Sequence, residues 1–156
     1  MEIERKYLID TLPADYASYP VSNLEQCYLC TSPVVRARRE DDKFYLTYKS
    51  GGLMAREEYN LPLTEEAYLH LREKADGLVI TKKRYRIPYD ETHTIELDLF
   101  EGPLAPLILA EVEFASLAEA EAFTPPAWFG EDVTFQGDYH NSVLSKNGLP
   151  HRADRV

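Results

Sequence analysis

The feature that most constrains this chain is a sorting of charge by sign along short alternating segments. Glu2-Ile3-Glu4-Arg5-Lys6 opens the sequence, and in an extended backbone Glu2, Glu4 and Lys6 point to one side. Ile3, Tyr7 and Ile9 take the other side as core candidates, and Arg5 among them is expected to reach past the core to solvent. The device then repeats. Arg36 and Arg38 share one strand face, as do Lys82, Arg84 and Arg86, then Glu96 and Asp98, then Glu111 and Glu113. Like charges two apart on a strand lie about 7 Å from each other. They repel by roughly 0.6 kcal/mol in water and several-fold more at the lower effective dielectric of a cleft. A face turned to bulk water is expected to mix Thr, Gln, Lys and Glu. Repeated sorting points instead to strands whose charged faces look into one shared space. There, basic groups meet phosphate oxygens and acidic groups meet a divalent cation.

Eight such segments are separated by turn residues: 2–9, 23–31, 34–39, 43–49, 54–61, 78–88, 93–100 and 107–115. Glu40-Asp41-Asp42 forms a hairpin tip and Gly51-Gly52 a loop. Thr64 caps a helix to about Ala75, with Glu65 and Glu66 favouring its positive end and Gly77 ending it. Ser116 and Glu119 make a capping box for a short helix that Pro125-Pro126 terminates. Trp128 and Phe129 read as an apolar plug, 138–147 as a final helix stopped by Gly148, and 149–156 as a frayed tail. The expected class is α+β, mainly β. An eight-stranded antiparallel sheet closes into a barrel, with helices packed outside and at one end.

At 156 residues the chain is expected to be one domain, spanning 1–148 ahead of the tail. Its net charge of −10 argues against a general nucleic-acid partner, because an acidic surface repels the phosphate backbone. Its apolar runs are too short to span a bilayer. No signal-type segment precedes the first strand, so the expected location is the cytoplasm. Cys27 and Cys30 have opposite strand parity and face opposite sides, so they read as two reduced structural thiols. His70, His93 and His151 have no clustered partner, and His140 reads as a packing residue.

The ordered motifs resemble the CYTH superfamily, the triphosphate tunnel metalloenzymes, and most of all its compact bacterial members. Glu2-x-Glu4-x-Lys6 is followed by Arg36-x-Arg38, Leu46-Thr47-Tyr48-Lys49, Lys82-Lys83-Arg84-Tyr85, Glu96-x-Asp98-x-Phe100 and Ala110-Glu111-Val112-Glu113. Asp132-Val133-Thr134 then leads to Tyr139-His140-Asn141. The resemblance implies a tunnel that binds a triphosphate group with Mg²⁺ or Mn²⁺ and hydrolyses it with an activated water. Carried over by position, Lys6, Arg36, Arg38, Lys49, Lys82 and Arg84, joined by Arg56, should bind the substrate. Glu2, Glu4, Glu111 and Glu113, supported by Glu96 and Asp98, should hold or orient metal. A second metal, or a carboxylate such as Glu2 or Glu4, would orient the attacking water. Lys82 could serve as a base if Arg84 and Arg86 crowd its ammonium, with Tyr28 as hydrogen-bond partner. One departure stands out: family members often continue the fifth strand as R-x-E-x-E, and here Arg56 and Glu58 are followed by Asn60. The expected partner is a small polyanion, tripolyphosphate or a nucleoside triphosphate, with no nucleic acid and no membrane. A homodimer is compatible with the sequence. The alternative readings are a class IV-type adenylyl cyclase and a non-catalytic polyphosphate-binding barrel.

Overall fold

Every alternating segment becomes a strand. The computed structural model describes residues 1–150. Its strands are β1 (Glu2–Leu8), β2 (Val21–Thr31), β3 (Val34–Glu40), β4 (Lys43–Lys49), β5 (Ala55–Arg56), β6 (Glu58–Leu63), β7 (Asp76–Pro88), β8 (Thr94–Phe100) and β9 (Ile108–Glu113). All pair antiparallel in the order β5-β1-β9-β8-β7-β2-β3-β4-β6. Nine strands replace the expected eight because the segment 54–61 is bent at Glu57. That residue's N–H donates to the Ser50 hydroxyl, and its carbonyl accepts from the Ser50 N–H. The half before the bend, β5, pairs with β1, and the half after it, β6, pairs with β4. The bent segment therefore bridges the two ends of the sheet and closes the barrel.

Register explains the sorted charges. Residues directly opposite each other in an antiparallel pair project to the same face. Glu4 lies opposite Glu113 and Lys6 opposite Glu111, which in turn faces Glu96. Asp98 lies opposite Arg84, and Glu96 opposite Arg86. On the other side, Tyr28 faces Arg36, Gln26 faces Arg38, Lys49 faces Glu58 and Glu2 faces Arg56. All the signed faces thus belong to one continuous inner surface.

The apolar residues occupy the outer face and one end. Ile3, Ile87, Ile95, Leu97, Ala110 and Val112 point outward beneath α2 (Leu117–Ala122) and the 123–129 aromatics. Trp128 and Phe129 belong to this outer cover, with Phe129 4.9 Å from Tyr7, so they do not plug the barrel. Arg5 is not free in solvent either: its guanidinium donates to the Ala120 carbonyl and pairs with Asp132. The plug at the far end is made by Leu8, Ile80, Phe100, Leu109, Tyr139 and Leu144.

α1 (Glu65–Arg72) starts on Thr64, whose hydroxyl accepts from the Ala67 N–H, and it covers Cys27, Ala37 and Phe44 with Tyr68. It ends earlier than expected, and Gly77 falls inside β7. Gly77 has φ +72°, and a Cβ there would stand 2.5 Å from the Ser145 carbonyl oxygen. This glycine is therefore where the last helix, α3 (Asn141–Asn147), presses onto the barrel. The expected helix 138–147 is split: a 3₁₀ turn at Gly137–Tyr139 and α3 flank an extended His140, and Gly148 ends α3 as expected. Cys27 is buried and Cys30 exposed, both as free thiols. Of the expected tail, residues 151–156 and with them His151 lie outside the described residues. No helix among the described residues is long and apolar enough to cross a membrane.

Candidate active site

The inner surface narrows to a small charged cavity. β1 supplies Glu2, Glu4 and Lys6, and the bent segment Arg56 and Glu58. β3 and β4 supply Arg36, Arg38 and Lys49, while Arg84 and Glu111 come from β7 and β9. Tyr28 and Gln26 close the side formed by β2, and Asn141 and Ser142 enter from α3. Exposure falls with depth: the Glu58 and Arg38 side chains are 19% and 18% accessible, those of Lys6 and Glu111 7% and 8%.

The acids fall into two electrostatically opposed pairs. In the first, burial pushes Glu2 up to about 7. Burial also works against Glu58, but its hydrogen bond with Glu2 and the Lys49 ammonium hold it down at about 2. Lys49 lies 2.9 Å from Glu2 and 3.1 Å from Glu58. In the second pair, burial and the neighbouring Glu111 and Glu2 carboxylates raise Glu4 well above the usual range. Burial opposes ionisation of Glu111, yet Lys6, Arg84 and Lys82 hold it well below that range, and it is hydrogen-bonded to Glu4. In each pair, then, burial raises one carboxyl while nearby cations hold the other down. Among the described residues, no three His, Cys, Asp or Glu side chains converge into a closed metal shell. Such an open set of acids fits a cation that keeps waters of its own, takes one or two carboxylates and completes its shell with phosphate oxygens.

The cations divide into satisfied and unsatisfied groups. Lys6 donates to the Tyr139 carbonyl at 3.0 Å and pairs with Glu111 at 3.6 Å. Arg84 grips Asp98 through two hydrogen bonds of 2.7 and 2.9 Å. Arg36 is different. It is 4% exposed, lines the cavity, and has no carboxylate partner among the described residues. Its Nε is buried without an acceptor, and so is that of Arg38. A buried guanidinium left unpaired costs free energy that an anion in the cavity would offset.

A profile of the CYTH domain matches residues 1–146. The chain belongs to the CYTH domain family. An inorganic triphosphatase of Nitrosomonas europaea is 40% identical over 147 residues, covering 92% of this chain and 96% of that protein. An inorganic triphosphatase of Acetivibrio thermocellus is 41% identical over 118 residues, covering 72% of each. A crystal structure of an inorganic triphosphatase superposes with a TM-score of 0.72 at 35% identity, covering 96% of this chain and 97% of that one.

Within this CYTH domain, several expected site residues stand away from the cavity. Asp98 is fully buried with both oxygens engaged, by Arg84 and by Lys82 at 2.7 Å, so it braces the cations and has no free edge for a metal. Glu96 ties to Arg84 and Arg86. Glu113 lies on the rim, where burial and the nearby Glu96 and Glu58 raise its pKa. Lys82 is brought down to about 8, foremost by burial and only then by Arg84, with Asp98 opposing. Arg86 instead reaches Glu40 and Ser22. The hydrogen bonds of Lys82 run to Asp98 and Asn141, not to Tyr28.

Sequence reasoning missed Glu58, Gln26, Asn141 and Ser142. Glu58 was signalled by its shared parity with Arg56. Asn60 holds it in place, accepting from the Thr47 hydroxyl and donating to Glu58 at 2.8 Å. Asn141 and Ser142 carry no strand parity, so no periodic signal places them.

Proposed function

We propose that this chain is a metal-dependent triphosphatase that hydrolyses a terminal phosphoric anhydride bond, with tripolyphosphate as the first candidate and a nucleoside triphosphate as the second. The observation that carries the reading is Arg36, buried without a carboxylate partner among the described residues in a cavity that also holds Glu2, Glu4, Glu58 and Glu111. A cavity with spare buried positive charge and an open set of acids suits a metal-bound polyanion. The relatives named inorganic triphosphatases support the same substrate class.

Arg36, Arg38, Arg56, Lys49, Lys6 and Arg84 serve as preorganised positive charge where negative charge gathers as the P–O bond loosens. Glu2, Glu4, Glu58 and Glu111 would hold Mg²⁺ or Mn²⁺. Such a cation neutralises phosphate charge and acidifies bound water. Glu2 or Glu4, once deprotonated, orients the attacking water, and Tyr28 closes the wall beside the reacting group. Glu113 and Glu96 act at the rim, with Asp98 fixing Lys82 and Arg84 behind the cavity. Residues 1–148 act as one domain, with a small polyanion as partner in the cytoplasm.

The test is incubation with Mg²⁺ or Mn²⁺ and either tripolyphosphate or ATP, following orthophosphate, pyrophosphate and cyclic AMP. Orthophosphate from tripolyphosphate supports the proposal. Cyclic AMP would make the chain a cyclase, and binding with no product would make it a polyphosphate-binding barrel.

A further inference from the structure

Lys82 presents a difficulty for direct phosphate contact. Its side chain is completely buried and it does not line the cavity. An ammonium has three protons to give. One meets Asp98 Oδ2 at 2.7 Å, one meets Asn141 Oδ1 at 3.4 Å, and the remaining side lies over the Phe100 ring at 5.0 Å from its centre. None is left for a substrate.

Asn141 stands between this ammonium and the cavity. Because Lys82 can only donate, the Asn141 atom that faces it must be the amide oxygen. The amide nitrogen therefore points elsewhere, and Asn141 lines the cavity wall beside Ser142. Among the described residues, that nitrogen has no protein acceptor. α3 is held in the position this requires by two contacts: Leu144 is fully buried in the plug, and Ser145 sits against Gly77.

We propose that Asn141 is the residue through which Lys82 acts on the substrate. Its amide accepts from the buried ammonium on one side and donates to a phosphate oxygen on the other. Lys82 polarises this amide, so the donor facing the cavity is stronger than that of an isolated asparagine. The positive charge of Lys82 stays dry and fixed, and its effect is delivered by a neutral group at a set distance. The inference rests on the triphosphatase reading and adds to it a contact residue on the C-terminal helix.

Asn141→Asp separates this role from a merely structural one. Aspartate keeps the shape and holds Lys82 more firmly, but it turns an anionic oxygen toward the phosphates. The expected result is a rise in KM for tripolyphosphate of roughly tenfold or more, as for loss of a hydrogen bond to a charged group, with no fall in Tm. Asn141→Ala should raise KM less. In the Asn141→Ala background, Lys82→Met should cost far less than it does in the wild type. An Asn141→Asp enzyme with wild-type KM would overturn the proposal. So would a Lys82→Met penalty that is the same in both backgrounds, because the ammonium would then touch the substrate itself. Calorimetric binding of tripolyphosphate to wild type and Asn141→Asp keeps the two readings apart. A wild type that binds without hydrolysing defeats the triphosphatase reading, yet the variant's Kd still decides the role of Asn141.

Discussion

Replacing Arg36 by methionine should improve the empty protein and ruin the working one. The guanidinium is 4% exposed and has no carboxylate beside it among the described residues. Burying an ion without a partner costs several kcal/mol, and apolar replacement of buried ions is often neutral or stabilising. For a domain of this size, about 1 kcal/mol moves Tm by about 2–4 °C. Arg36→Met is therefore expected to melt no lower than wild type, and by about this reasoning a few degrees higher. Binding moves the other way. A hydrogen bond to a charged group contributes about 1.5–3 kcal/mol, and a guanidinium fork can make two to a phosphate. Losing about 3–6 kcal/mol of interaction lowers kcat/KM by about 10²- to 10⁴-fold. The assay is thermal unfolding with and without tripolyphosphate, beside orthophosphate release. At 100 times Kd the ligand adds about 2.7 kcal/mol to wild type, or about 5–11 °C, and this shift should vanish in the variant at the same concentration. A variant that melts several degrees lower while keeping the ligand-induced shift would refute the reasoning, since Arg36 would then be a structural cation.

Two further outcomes are expected. Glu2 is raised to about 7 in the folded state, so between pH 4.5 and 7 the native protein binds more protons than the unfolded chain and loses stability as pH rises. His140, held down to about 4 chiefly by burial, works in the opposite sense over pH 4 to 6.5, and it cancels when protein with and without cation is compared. The gain in Tm on adding Mg²⁺ should therefore grow from pH 5 to pH 8, and calorimetry should show proton release on binding; a pH-independent gain would contradict a cation held by the raised Glu2. Gly77→Ala forces a positive φ on alanine and sets its Cβ 2.5 Å from the Ser145 carbonyl oxygen, so Tm should fall by about 4 °C or more. A Gly77→Ala protein as stable as wild type would mean that α3 is not seated through this contact.

What was legible in the sequence was whatever repeats with period two. Glu4, Lys6, Arg36, Arg84 and Glu111 announced their common face because each has a like-spaced companion, and the register joins those faces into one lumen. Tertiary context decided the rest. The bend at Glu57 depends on Ser50, seven residues earlier, and no local pattern marks it. Gly77 looked like a helix stop because positive-φ glycines commonly are; here the constraint comes from a helix almost 70 residues further along. Asp98 was grouped with the metal ligands because parity reports which way a side chain points but not which partner has already taken it. Asn141 was hidden because its place in the cavity follows from how α3 docks, not from any spacing in its own segment.

The joint that closes the barrel is its shortest. β5 meets β1 across only two residue pairs, Glu2 with Arg56 and Ile3 with Ala55. The same few residues carry part of the charge that would grip a phosphate chain. On the proposed function, an occupant held by Arg56 on one lip and by a cation at Glu2 on the other would work as a rivet across the seam. Loading the cavity and fastening its wall would then be a single equilibrium, with the seam more open in the empty barrel.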